Sequence, residues 1–123
     1  MIGKNGNGNG EFKNPYGVAF DSKNKRMLIS DGWNHRIQAF DLEGKFLSKF
    51  GKKGSAKGEF KYSRQLCIHP STDNIIVADD DNNRLQMFTN QFNFVTLIGQ
   101  HVLKNPFAVD CSLLAPYNIA SAE

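Results

Sequence analysis

Long apolar runs are missing from this chain, and so is any block of like charge. No uninterrupted apolar stretch approaches the roughly 18–20 residues of a membrane-spanning helix, and no basic-then-apolar leader follows Met1. Nothing in the residues suggests secretion or membrane insertion, so a cytoplasmic location is the default expectation. The net charge of +3 over 123 residues is mild. Without a polybasic block it permits an anionic partner and does not require one. Cysteine is scarce. Cys67 and Cys111 both sit inside apolar strand-like runs, so two buried thiols are expected rather than a disulfide. The three histidines, His35, His69 and His101, share no spacing typical of zinc ligation. The glycine-rich residues 2–12 are followed by no Lys-Ser or Lys-Thr and no helical pattern, which makes a phosphate-binding loop a poor alternative.

What the chain does contain is a repeat. Asp31-Gly32-Trp33-Asn34-His35-Arg36-Ile37-Gln38-Ala39-Phe40 returns as Asp79-Asp80-Asp81-Asn82-Asn83-Arg84-Leu85-Gln86-Met87-Phe88 at a constant offset of 48 residues (31 to 79, 36 to 84, 40 to 88). A fixed period of that size marks an array of equivalent units. Asp31 to Asn34 are residues that bond their own backbone or accept positive φ, so they can reverse the chain. The alternation from Arg36 to Phe40 then reads as the strand that leaves the turn. Asp31 with Arg36, and Asp79 with Arg84, flank each turn closely enough to pair. They are expected to act as structural hairpin clamps through charge-assisted hydrogen bonds.

The glycine-rich residues 2–12 match residues 50–60 at the same offset, so they read as a loop between units and not as a flexible tail. Strands are expected at Tyr16 to Asp21, Met27 to Ser30, Arg36 to Asp41 and Lys45 to Phe50. The second set is Gln65 to His69, Ile75 to Ala78, Arg84 to Thr89 and Phe94 to Ile98. In the second unit Ser63-Arg64-Gln65 stands where Pro15-Tyr16-Gly17 stood, so Gln65 replaces the glycine of a close backbone approach. A third unit begins at Lys104-Asn105-Pro106-Phe107 and reaches only a second strand, Asn118 to Glu123. The units fall at about 4–51, 52–99 and, incomplete, 100–123. Such an array would present an apolar face at each end. The chain is therefore expected to be part of a longer array, or to complete itself through further units or self-association.

Asn34-His35-Arg36-Ile37-Gln38-Ala39-Phe40-Asp41, preceded by Pro15-Tyr16-Gly17-Val18-Ala19-Phe20-Asp21 and by the Gly-Glu-Phe lead-in, closely resembles the NHL repeat. The resemblance implies an all-β fold: a β-propeller with one four-stranded blade per repeat, often six blades. Residues 1–123 would then supply two blades and an incomplete third. The resemblance also implies several functions, because one fold hosts many. Some NHL propellers of the tripartite-motif class bind RNA on their loop face, and some NHL-like propellers are amidating lyases that hold a metal with channel histidines. Only His69 or His101 could serve the second purpose, and His69 lies at the strand end away from the expected channel mouth.

The loops that would share one face bring Lys13, Asn14 and Tyr16, then Lys61, Tyr62 and Arg64, then Lys104, Asn105 and Phe107. Trp33, His35, Asp81 and Asn83 join them from the hairpins. The candidate binding residues are Tyr16, Trp33, His35, Lys61, Arg64, Lys104 and Phe107. Tyr16, Arg64 and Phe107 hold the same repeat position and are expected together at the channel mouth. Aromatic and cationic groups of this kind suit a peptide hot spot or stacking on unpaired bases; the competing reading of each aromatic is plain packing. Asp79 to Asn83 reads as a carboxylate-rich turn, lacking the ligand spacing of a calcium loop. The expectation is a non-catalytic binding or scaffold module, without cofactor or metal, whose partner is a protein. The alternative is single-stranded or hairpin RNA, as for a tripartite-motif-like regulator or ubiquitin ligase. Neither DNA nor a membrane is expected as a partner.

Overall fold

Short apolar segments, alternating in some strands and continuous in others, are broken every few residues by Asp, Asn, Gly or Lys turns and build strands and nothing longer. In the structure, a computed structural model describing residues 3–99, these strands form two four-stranded antiparallel sheets. Before them, β1 (Lys4–Asn5) and β2 (Glu11–Phe12) pair in parallel and fold the glycine-rich lead-in back on itself. Blade 1 consists of β3 (Pro15–Asp21), β4 (Arg26–Asp31), β5 (Arg36–Asp41) and β6 (Phe46–Phe50), hydrogen-bonded in that order. Blade 2 consists of β7 (Ser63–Ile68), β8 (Ile75–Asp79), β9 (Arg84–Phe88) and β10 (Phe94–Ile98), again in order. A 3-10 turn joins the middle strands of each blade, at Gly32–Asn34 and at Asp80–Asn82. Among the described residues no helix is long and apolar enough to cross a membrane. The third repeat, with Lys104, Phe107, His101 and Cys111, lies outside the described residues.

Alternation gives each blade two faces. Ala19, Leu28, Ile37, Ala39 and Phe50 form the trailing face of blade 1. They pack against Leu66, Ile68, Ile75, Val77 and Phe88, the leading face of blade 2, with Phe60 of the second lead-in wedged among them. Burying this apolar surface between blades is the main stabilising term, at roughly 25 cal/mol per Å². The inner strands approach closely here. A Cβ on Gly17 would lie 2.6 Å from Gln65 Oε1 and 3.0 Å from Gln65 Cα. The glycine is therefore required in blade 1, and its repeat partner Gln65 supplies the surface it packs on.

Each lead-in loop is bound to its hairpin by one buried network. The Asp31 carboxylate accepts from the Lys13 amide (2.8 Å), Asn34 Nδ2 (2.9 Å), Arg36 Nε (2.8 Å) and Gln38 Nε2 (3.2 Å). Asp79 repeats this with Lys61, Asn82, Arg84 and Gln86 at 2.8, 2.9, 2.9 and 3.0 Å. The outer guanidinium nitrogens reach further. Arg36 donates to the carbonyls of Asn7, Gly8 and Glu11, and Arg84 to those of Ser55, Ala56 and Glu59. Both arginines are buried and so are their aspartates. Sequence reasoning paired the charges but missed that the arginine fork also reaches the lead-in carbonyls, sharing those of Gly8, Glu11, Ala56 and Glu59 with other donors.

The expectation of a free thiol at Cys67 is corrected. Cys67 is disulfide-bonded, and no described cysteine is free. Its β7 position in an apolar run suits a buried thiol and a buried half-cystine alike, so burial alone could not separate them.

Candidate functional site

The 3-10 turns and the segments that precede the inner strands emerge on one side of the blades. In blade 1 the amides of Gly32 and Trp33 donate to the carbonyls of Asn14 and Lys13 (3.3 and 3.0 Å). In blade 2 those of Asp80 and Asp81 donate to Tyr62 and Lys61 (3.2 and 3.0 Å). Equivalent loops are thus held in equivalent places, and what differs is the side chains they carry.

Tyr62 is the centre of the cluster. It occupies the left-handed region (φ 62) and is buried. Its hydroxyl accepts a hydrogen bond from Asn14 Nδ2. The Trp33 indole stands edge-on to its ring at a centroid distance of 4.7 Å. Arg64 Cζ lies 4.7 Å from the same centroid and 4.6 Å from the Tyr16 centroid, so the guanidinium sits between two tyrosines. Its Nε donates to Asp80 Oδ2 at 2.6 Å. Gly32 leaves the room this needs, since a Cβ there would meet Tyr62 Cζ and the Ser63 carbonyl at 3.2 Å.

Electrostatics follow from that packing. Burial works against the Arg64 charge, and the Asp80 carboxylate outweighs it, so the Arg64 pKa lies above its ordinary value. Burial raises the Tyr62 hydroxyl pKa, with Arg64 opposing. Both groups hold one protonation state near neutrality. Trp33 is the exposed member, at 58 % of its surface. A large apolar ring left open on a supported platform is the arrangement that interface anchors share.

Of the candidate binding residues, the structure brings Tyr16, Trp33, His35 and Arg64 to this cluster. His35 joins through its ring, Nδ1 accepting from the Tyr62 amide at 2.9 Å. Lys61 is exposed beside it. Lys104 and Phe107 lie outside the described residues. Sequence reasoning placed Tyr62 on this face but did not make it a site residue. The available signal was that repeat position 14/62 changes from Asn to Tyr while its flanking lysines do not.

The other candidate chemistry lies elsewhere. His69 is buried beside the turn after β7, and its Nδ1 accepts from the Ser71 amide at 3.1 Å. Asp79 is consumed by its network and Asp80 by Arg64. Among the described residues no group of three His, Cys, Asp or Glu side chains could hold a metal ion.

A family model described as a 6-bladed beta-propeller matches residues 13–118. Protein lin-41 of Caenorhabditis elegans is 42 % identical over 48 residues, which is 39 % of this chain and 4 % of that protein. Among solved structures, the hydrazine synthase of Kuenenia stuttgartiensis superimposes with a TM-score of 0.61 at 12 % identity, covering 76 % of this chain and 26 % of that one. A streptogramin B lyase superimposes with a TM-score of 0.51 at 16 % identity, covering 66 % and 25 %. Identities this low report the fold alone. They correct the expectation that the chain is not an enzyme: a synthase and a lyase stand on this fold, so the architecture gives no ground for excluding catalysis.

Proposed function

The chain belongs to the 6-bladed beta-propeller family, in its NHL-type form, and we propose that it serves as a binding module recognising a protein partner through the loop face. The exposed Trp33 indole, supported edge-on by Tyr62 and backed by the Tyr16–Arg64–Tyr62 stack, carries this reading. Such a platform loses little side-chain entropy on binding because its rings are already immobilised. A protein is favoured over RNA by the pairing of Arg64. Its charge is matched by Asp80 at 2.6 Å, and the exposed Asp81 adds negative charge to the same face. A phosphate would have to displace a carboxylate and approach another. Lys13 and Lys61, both exposed, are what favour the RNA reading.

The test is capture from cell extract on the immobilised full chain, wild type against Trp33→Ala. A protein retained by wild type and lost by the variant, with retention little changed between 50 and 300 mM salt, supports the proposal. Retention of RNA that falls steeply with salt would replace it. The proposal includes a cytoplasmic location and completion of the blade array by further blades or by self-association. The disulfide at Cys67 argues against the first, because disulfides persist in oxidising compartments. Alkylation of protein trapped at lysis decides between them: a fully modified thiol supports the cytoplasm, and a protected one overturns it.

A further inference from the structure

His35 ties blade 1 to blade 2 at one atom. It ends the 3-10 turn in the left-handed region (φ 54, ψ 48), and its amide donates to the Gly32 carbonyl at 3.1 Å. Its Nδ1 accepts the Tyr62 N–H at 2.9 Å across the blade boundary. A ring nitrogen can accept only while it is unprotonated, so this bond requires neutral imidazole with its proton on Nε2. Adding a proton would set one N–H against another beside a buried residue, leaving the Tyr62 amide without its acceptor. Asn83 holds the equivalent place in blade 2 with the same geometry (φ 54, ψ 46). An amide side chain carries no titratable proton, so that position lacks the sensitivity.

We infer that His35 is a pH-sensitive latch of the loop face, whose protonation releases Tyr62 and loosens the platform on which Trp33 stands. This rests on the loop-face reading for its consequence, but not for its mechanism. The groups facing His35 are Lys53 from the second lead-in, which opposes protonation, and Asp81 and Asp79 of blade 2 with Asp31 of its own hairpin, which favour it. Burial is the largest influence, followed by Lys53, and the pKa lies below 6.5. The sign follows. Folding favours the neutral ring, so the stability it contributes is complete above about pH 6.5 and is lost as pH falls through the lower folded-state value.

The experiment uses the full chain without any partner, following the Tyr62 amide resonance and the emission of Trp33, the single tryptophan, from pH 8 to pH 5. Expected is one shared midpoint below 6.5 for the His35 ring, the Tyr62 amide and the indole emission. In His35→Asn the Tyr62 and Trp33 transitions should vanish. The urea midpoint of wild type should fall across the same window, and that of His35→Asn should not follow it. A His35 ring that titrates while the Tyr62 amide and Trp33 emission stay fixed overturns the latch, and so does a transition that persists in His35→Asn. Because the wild-type titration alone can overturn it, a poorly folded variant does not shelter the idea. Failure of partner capture would contradict the loop-face reading and leave these signals unchanged.

Discussion

Position by position, blade 2 repeats blade 1 in the buried network that ties each hairpin to its lead-in loop, and departs from it in the loop-face side chains that meet across the blade boundary. Asp31 and Asp79, Asn34 and Asn82, Arg36 and Arg84, Gln38 and Gln86, and Glu11 and Glu59 are pairwise identical, and their hydrogen bonds agree to within about 0.2 Å. At the boundary, Asn14 faces Tyr62, Tyr16 becomes Arg64, Gly32 becomes Asp80, Trp33 becomes Asp81 and His35 becomes Asn83. A symmetric array would put tyrosine on tyrosine or arginine on arginine. The broken symmetry puts a cation between two rings with a carboxylate behind it. Sameness therefore maintains the blade, and difference makes the candidate site.

The largest effect should come from the shared network. Arg84→Ala would leave the Asp79 carboxylate buried without its cation and take one donor from each of three lead-in carbonyls, a loss of about 3–5 kcal/mol. Arg36→Ala should cost a similar amount, since its bonds are the same. Urea unfolding measures both, and a difference above about 2 kcal/mol would break the claimed equivalence. Lysine should not rescue either position, because it lacks the fork.

The two leading faces give the next contrast. Leu66 is buried against blade 1 at 4 % exposure, while its repeat partner Val18 is 50 % exposed. Leu66→Ala should cost about 2–5 kcal/mol, and Val18→Ala no more than about 0.5 kcal/mol in dilute protein. A cost at Val18 that grows with protein concentration would show another copy covering that face.

Much of this molecule is legible in its amino-acid sequence. The offset of 48 residues is printed in the side chains, and short apolar or alternating segments between turn residues mark all eight blade strands to within about two residues. The Asp–Arg pairing was legible too, because the partners are five residues apart across a turn. Tyr62 was not legible as a centre. Its partners Asn14, Trp33 and His35 come from blade 1 and reach it only once the blades have packed, and no local spacing encodes that. The state of Cys67 was hidden for a different reason, since an apolar strand hides a thiol and a half-cystine equally well.

The expected effect on stability at Trp33 is small, and this position carries the comparison furthest. Trp33→Asp gives blade 1 the residue that blade 2 already holds at that position, on an exposed turn where the loss of stability is limited to the edge-on contact with Tyr62, about 0.5–1.5 kcal/mol. The decisive measurement is the amount of captured protein partner retained by immobilised Trp33→Asp against wild type, with urea midpoints recorded alongside. If the divergent positions form the site, retention falls about tenfold or more, the loss typical of an aromatic anchor, while the midpoint falls no further than that contact accounts for. Undiminished retention would contradict the account, because the blades could then be made alike at their most exposed difference without consequence for binding.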